Sequence, residues 1–260
     1  MKTIKISLPK TVTSARILPL ADLHLGDINC DIVKIKEMIK FAIENDDVYI
    51  ILNGDLINNA TKTSVSDVYS ETVKPMEQLK TAVELFEPVK NKILCITSGN
   101  HEARTYKNDG IDLTELLARE LDVADRYAPE SAVLFLSLGV SSHASPKVDR
   151  QTCYSFYVSH GYGGGRKEGG KVNSLADVSS IVDVDCYIHS HKHLPVVFKE
   201  SFFRTNPIKK TVTLVDKLFV QTSSFLKYGG YGERYGFKPA STDTPIIYID
   251  GLKKKMTARV

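Results

Sequence analysis

The sequence predicts an α/β sandwich, and three observations lead there. Short apolar runs alternate with longer amphipathic stretches, the order in which strands and surface helices follow one another in that class. Five of the strand-like runs end in residues with metal-binding chemistry. No Pro- or Gly-rich linker divides the chain, so residues 1–260 are expected to form a single domain.

The runs that read as strands are Ala15–Leu20, Val48–Leu52, Lys92–Thr97, Ser131–Leu138, Tyr154–Val158 and Asp185–Ile188, followed by Val212–Val215, Leu218–Gln221 and Pro245–Ile249. Apolar residues at helical spacing predict helices over Asp31–Glu44, Asp67–Val89, Asp112–Leu121 and Asn173–Val182. Asp31 and Asp112 stand just ahead of the periodic residues, where a carboxylate can accept from the first free N–H groups. Pro75 has no N–H to give, so it divides the second helix or sits in the first turn of a later one.

Composition sets the class and excludes others. With 42% hydrophobic and 25% charged residues the chain has the make-up of a soluble globular protein with a sizeable core. Nothing approaches the roughly 18 consecutive apolar residues of a membrane helix. The opening MKTIKISLPKTVTSAR lacks the apolar stretch of a secretory leader, so the cytoplasm is the expected compartment. A net charge of +3 is too slight to argue for nucleic-acid binding by itself. Cys30, Cys95, Cys153 and Cys186 show no CxxC spacing, and Cys95 and Cys186 lie inside apolar runs, so they read as reduced thiols rather than metal ligands.

The chemistry stands at the strand ends. ARILPLADLH ends at Asp22 and His24, VYIILNGD at Asn53 and Asp55, and ILCITSGNHE at Asn100, His101 and Glu102. YSFYVSHG ends at His160, and CYIHSHKH at His189, His191 and His193. Ligands of open α/β sheets bind beyond the carboxyl ends of the strands, so strands sharing a sheet would bring these clusters to one edge. Residues two apart, as in Asp22-Leu23-His24 and His191-Lys192-His193, face the same side of an extended segment. Gly54, Gly99 and Gly161 beside them suit sharp turns where backbone passes close to another group.

The ordered set DxH…GD…GNHE…H…HxH, from Asp22 to His193, resembles the calcineurin-like metallophosphoesterase superfamily. That resemblance implies two facing mixed β-sheets flanked by helices, a four-layer α+β arrangement with a dinuclear metal site at the sheet edge. It implies one ion on Asp22, His24, Asp55 and His193 and a second on Asp55, Asn100, His160 and His191, with Asp55 as the bridge. His101 would lie outside the ligand set near the scissile phosphate, stabilising charge or protonating the leaving oxygen, and Glu102 would support the loop. The usual last motif is GHxH, and Ser190 stands where its glycine would be.

Elementary chemistry agrees with that assignment. Two carboxylates against two divalent ions leave a positive site that attracts phosphate and acidifies a bridging water into a hydroxide nucleophile. Four imidazoles, one amide and two carboxylates disfavour Ca²⁺ and Mg²⁺ and suit Mn²⁺, Fe, Co²⁺, Ni²⁺ or Zn²⁺, with Mn²⁺ the expected activating ion.

Other features compete for attention. Gly165 to Val172 nearly spells GxxxxGK[ST], but a P-loop needs a hydroxyl where Val172 stands, so the segment reads as a Gly-rich loop leaving His160. Arg104, three residues past His101, and Arg166, Lys167 or Lys171 in the Gly-rich loop are candidate phosphate contacts. Lys227 to Lys238 mixes tyrosine, glycine and base, a composition suited to stacking on nucleotides or to packing on the domain. His189 reads as a core or supporting residue and His143 as a loop histidine. The GDxxDRG form of the Ser/Thr protein phosphatases is absent, since Gly54-Asp55 continues Leu-Ile-Asn58-Asn59. That disfavours a protein phosphatase, and the GNHE and HxH arrangement resembles the phosphodiesterase and DNA-repair exonuclease branches of the family. The resemblance implies a phosphodiester of nucleic acid such as DNA, or of a nucleotide, as substrate, with a phosphomonoester or a non-catalytic metal-binding scaffold as the alternatives.

Overall fold

The computed structural model describes residues 1–62, 64, 68–142, 150–165 and 167–260. Asp67, His143 and Arg166 lie outside the described residues. Two six-stranded sheets face each other. The first has the order β12-β11-β2-β3-β4-β5, built from β2 (Ser14–Leu20), β3 (Val48–Asn53), β4 (Ile93–Thr97), β5 (Tyr127–Ala128), β11 (Ile246–Asp250) and β12 (Met256–Arg259). The second has the order β1-β6-β7-β8-β10-β9, from β1 (Lys2–Ser7), β6 (Ser131–Leu138), β7 (Thr152–Ser159), β8 (Cys186–His189), β9 (Val196–Asn206) and β10 (Thr211–Gln221).

Alternation along the strands builds the layers. In β2 and β3, Ile17 and Ile51 enter a core between the sheets with Leu134, Tyr154, Phe156 and Val220. Their neighbours Leu18, Leu20, Ile50 and Leu52 face a second core under α1 (Ile32–Glu44), α2 (Pro75–Phe86) and α4 (Leu113–Glu120). These strands are buried on both faces, which is why they read as unbroken apolar runs. Beyond the second sheet, Leu175 of α5 (Glu168–Asp177) packs with Val178, Tyr187 and Phe219. The order is helices, sheet, sheet, helix, as the family resemblance implied.

Local chemistry explains the helix ends. Asp31 accepts from Lys34 N, and Asp112 accepts from Thr114 N and Glu115 N. Pro75 opens α2, so the expected helix from Asp67 to Val89 is shorter, with a 3-10 turn over Val68–Ser70 ahead of it and another over Glu87–Lys92 behind.

Several expectations need correction. Val212–Val215 and Leu218–Gln221 form one strand, because Asp216 and Lys217 between them are held by Ser201 and Asp183 while the ladder to β9 continues. The helix expected over Asn173–Val182 runs from Glu168 to Asp177, with a 3-10 turn over Val178–Ser180 behind it, so part of the Gly-rich loop is helical; Leu175 packing overrides the two glycines at its start. Strands β1, β5, β9 and β12, and helices α3 (Glu102–Asp109) and α6 (Gly230–Arg234), were not expected.

Candidate metal centre

Strands β2, β3 and β4 run parallel in one sheet and β7 and β8 run parallel in the other, so their carboxyl ends lie together. Each chain segment leaving those ends turns sharply. Asp22, His24, Asp55, His191 and His193 all have left-handed backbone, with φ of 52, 49, 50, 68 and 51°. Non-glycine residues take that conformation at a cost, and its concentration at one place marks a site whose geometry is imposed by its surroundings. Gly54 and Gly99 allow two of these turns to touch: a Cβ on Gly54 would sit 2.7 Å from Gly99 Cα and from His160 Nδ1, and one on Gly99 would fall onto Asp55.

The side chains converge. Asp22 Oδ1 lies 3.0 Å from His193 Nε2, 3.9 Å from His24 Nε2 and 4.0 Å from His160 Nε2. Asp55 Oδ2 lies 3.1 Å from His160 Nε2 and 3.8 Å from His101 Nε2. Ligand atoms within 4.8 Å of one another form three groups: Asp22, His24 and His193; Asp55, His160 and His191; and His24, Asp55 and His101. Asn100 is exposed on the turn before His101, and its amide makes no hydrogen bond among the described residues.

Backbone carbonyls orient the rings. His160 Nδ1 donates to Asn53 O at 2.7 Å, His101 Nδ1 to Asn58 O at 2.6 Å and His191 Nε2 to Gly163 O at 3.0 Å. In His101 and His191 the other ring nitrogen is thereby left as a lone pair, while His160 turns Nε2 toward Asp55. The carboxylates are fixed too, since His191 N donates to Asp22 Oδ2 at 3.0 Å and His101 N to Asp55 Oδ1 at 2.8 Å.

Glu102 braces the turns from beneath. It is 3% exposed and accepts from four backbone N–H groups, Asp55 and Gly99 at one oxygen, Leu56 and Ile57 at the other. Burial, and then the Asp55 charge, push its pKa up to about 7 against the pull of those donors. Asn59 Nδ2 donates to His101 O at 2.7 Å, and Arg104 donates to the carbonyls of Asn58 and Asn59. Arg104 thus reaches the backbone beside His101. Sequence reasoning missed the role of Asn59 and named Asn53 only as a residue at a strand end; their only sign was proximity to Asp55, since an asparagine in a turn has many uses.

Electrostatics favour a cation here. Burial raises both carboxyls, but the surrounding imidazoles outweigh it and hold Asp22 below, and Asp55 well below, the usual range. Burial lowers His160, yet Asp55 and Asp22 overcome it and lift it to about 10. Burial drives His24, His101 and His191 down. His24 Nδ1 and Nε2, His160 Nε2 and His191 Nδ1 are buried without hydrogen-bond partners. Buried lone pairs facing two buried carboxylates are expensive unless a cation joins them, so the residues fit divalent metal ions.

Residues 15–221 match the family model described as calcineurin-like phosphoesterase. The chain belongs to that family. Metal-dependent hydrolysis of phosphate esters is the chemistry that membership supports. Among solved structures, the chain is similar to GAP50, described as the anchor in the inner membrane complex of Plasmodium, at 11% identity and a TM-score of 0.50, covering 95% of this chain and 84% of that one. It is also similar to Vacuolar Protein Sorting 29 from Cryptosporidium parvum, at 15% identity and a TM-score of 0.44 over 95% and 96% of the two chains. A predicted phosphoesterase from Streptococcus pneumoniae matches at 13% identity and a TM-score of 0.37 over 95% and 98%. No curated protein matches the sequence. Among the described residues, no helix is long and apolar enough to cross a membrane.

Proposed function

We propose that this phosphoesterase acts on phosphodiesters of nucleic acid or nucleotides, with Mn²⁺ as the activating ion. One observation carries the catalytic reading: two buried carboxylates, Asp22 and Asp55, meet buried and unpartnered imidazole nitrogens brought from both sheets. Asp22, His24, Asp55 and His193 would hold one ion, and Asp55, Asn100, His160 and His191 the other. Bound divalent ions supply Lewis acidity toward phosphoryl oxygens and acidify water.

The chain's own residues do the rest. The carbonyls of Asn53 and Gly163 set the tautomers of His160 and His191. Glu102 fixes the two turns that carry Asp55 and His101. His101, 12% exposed at its side chain, keeps Nδ1 on the Asn58 carbonyl and presents Nε2 beside Asp55. It is the group placed to exchange a proton with the leaving oxygen. Asn58 and Asn59 stand where protein phosphatases carry Asp and Arg, which argues against a phosphoprotein substrate, and the GNHE and HxH arrangement, similar to that of phosphodiesterase and exonuclease branches, supports a diester.

The test is turnover of bis-p-nitrophenyl phosphate and of p-nitrophenyl phosphate with added Mn²⁺. Diester turnover exceeds monoester turnover, and His101→Ala loses about 100-fold or more in kcat. Turnover confined to the monoester overturns the substrate reading and spares the metals. Protein that binds metal yet cuts neither ester is a scaffold.

A further inference from the structure

The hairpin of β9 and β10 reaches beyond the sandwich it belongs to. Its ladder runs unbroken, without a bulge, from Val196 against Gln221 to Asn206 against Thr211. Near the body both strands are covered: Val197, Leu218 and Val220 pack between the sheets, and Phe198 stacks on Phe219 on the α5 side. From Phe203 to Leu214 every residue is exposed.

This projecting arm is apolar on one face. Side chains alternate along a strand, so Phe203, Val212 and Leu214 continue the face that carries Val197, Leu218 and Val220. They are 78%, 63% and 60% exposed, and Phe203 and Leu214 are direct ladder partners. Arg204 and Thr213 occupy the opposite face. Apolar side chains gathered on an exposed face mark a contact surface. β9 is also the last strand of its sheet. Proteins usually blunt such an edge with a proline or a bulge, and β9 has neither, since Pro195 and Pro207 stand just outside it.

The charges of the strand say what fits its edge. Those of β9 are Lys199, Glu200 and Arg204, all exposed. A second copy of β9 laid antiparallel about a twofold axis keeps both apolar faces on one side only if even-numbered residues oppose even-numbered ones. Of those registers, the one with Phe202 on the axis alone opposes unlike charges, setting Glu200 against Arg204 of the second copy, twice. Moving the pairing by two residues either way sets both charges against phenylalanine or asparagine. The same register places Phe203 opposite Ser201 and diagonal to the other Phe203, within reach for aromatic rings. Glu200 forms no ion pair among the described residues. Asp183 holds Arg204 only at Nη2 and keeps Lys217 as a second cation, so Nε and Nη1 are left for another carboxylate.

We propose that β9 is the seat of a twofold dimer, in which two copies of this chain join their edge strands into one continuous sheet centred on Phe202. Glu200 and Arg204 close it on one face, and Phe203, Val212 and Leu214 of both copies close it on the other. The dimer is independent of the phosphodiesterase reading. Phe202 lies six residues along an extended strand from Val196, about 20 Å from the end nearest the metal centre, so the interface touches no candidate ligand.

Sedimentation velocity on the full chain, from about 2 to about 200 µM, tests it. The mass is expected to rise with concentration from 28.9 kDa to twice that value and stop there. Glu200→Arg and Arg204→Glu each oppose like charges and weaken association about tenfold or more. Mixed in equal amounts, the two variants associate again, because each supplies the charge that the other lacks. A chain carrying both substitutions dimerises like the parent. Phe203→Lys weakens the dimer from the other face. Thermal melting checks that each variant is folded; should Arg204→Glu melt early for want of Asp183, Glu200→Arg against the doubly substituted chain gives the same reading. A parent chain that stays monomeric over the whole range overturns the proposal. So does a dimer that survives Glu200→Arg and Phe203→Lys, or a mixture of folded single variants that stays monomeric. A mass that climbs past two copies overturns the closed twofold arrangement.

Discussion

Asn53 and Ser190 join the two sheets beside the candidate metal ligands: the Asn53 amide donates to Ser190 Oγ at 2.7 Å, and both side chains are fully buried. Asn53 also donates to Ser159 O at 2.9 Å and accepts from Thr97 Oγ1 at 2.6 Å. Every hydrogen-bonding role of that amide is thus inside the protein. Asn53→Ala strands a hydroxyl, a carbonyl and Ser190 together, and lowers unfolding stability by about 3 kcal/mol. Ser190→Gly removes one bond and costs about 1 kcal/mol. Urea unfolding at unchanged slope reads both; equal small losses would show that the bridge carries no weight.

Glu102→Gln tests the brace beneath the turns. A glutamine amide has one acceptor oxygen and a donor NH₂ in place of the other. Two of the four N–H groups now held by Glu102 then face a donor. The expected loss is about 2–3 kcal/mol, together with weaker Mn²⁺ binding because Asp55 and His101 ride on those turns. A variant that melts and binds Mn²⁺ like the parent chain would refute the brace.

Tyr154 gives a pH-dependent prediction away from the metals. From β7 its hydroxyl crosses to the β11–β12 hairpin, donating to Asp250 O at 2.7 Å and accepting from Lys255 N at 2.8 Å. Burial raises its pKa to about 12, against about 10 for an unfolded tyrosine. A folded-state pKa above the unfolded one means stability that is intact below pH ~10 and lost as pH rises toward ~12. Tyr154→Phe is less stable than the parent chain at neutral pH, and the gap narrows across that alkaline window. A gap that stays constant in denaturant melts from neutral pH to about pH 12 contradicts the assignment.

Metal content separates the two ion positions. Dialysed against Mn²⁺, the parent chain is expected to carry about two ions, His193→Ala or His160→Ala about one, and Asp55→Asn fewer still. The loaded chain gains roughly 2.7 kcal/mol of stability at a hundredfold excess of Mn²⁺ over its dissociation constant. Elemental analysis with thermal melting in EDTA and in Mn²⁺ reads both quantities. Two ions retained by Asp55→Asn would remove the bridge from the scheme.

Much of this was legible in the sequence, for a physical reason. The strands that carry the site, β2, β3, β4, β7 and β8, are buried on both faces or nearly so, and their apolar runs end where the ligand residues begin. What was not legible lies where burial is partial. Strand β9 is an edge strand, exposed or half-exposed throughout, so it carries no continuous apolar run. Helix α3 has little apolar character. It is fixed at its ends, by buried Glu102 and by left-handed Gly110, whose N–H reaches Tyr106 O.

The five left-handed residues at the metal centre have a consequence for how such a chain can change over time. Each forces a side-chain-bearing residue into backbone that glycine enters freely, at roughly 1–2 kcal/mol apiece. Together that strain rivals the whole margin of about 5–15 kcal/mol by which a domain stays folded. Glycine at these positions would relieve the strained backbone while removing a candidate ligand, and a lineage released from selection for activity could drift by that route toward a sturdier and silent version of the same fold. Keeping the reaction means keeping the protein less stable than its sequence would otherwise allow.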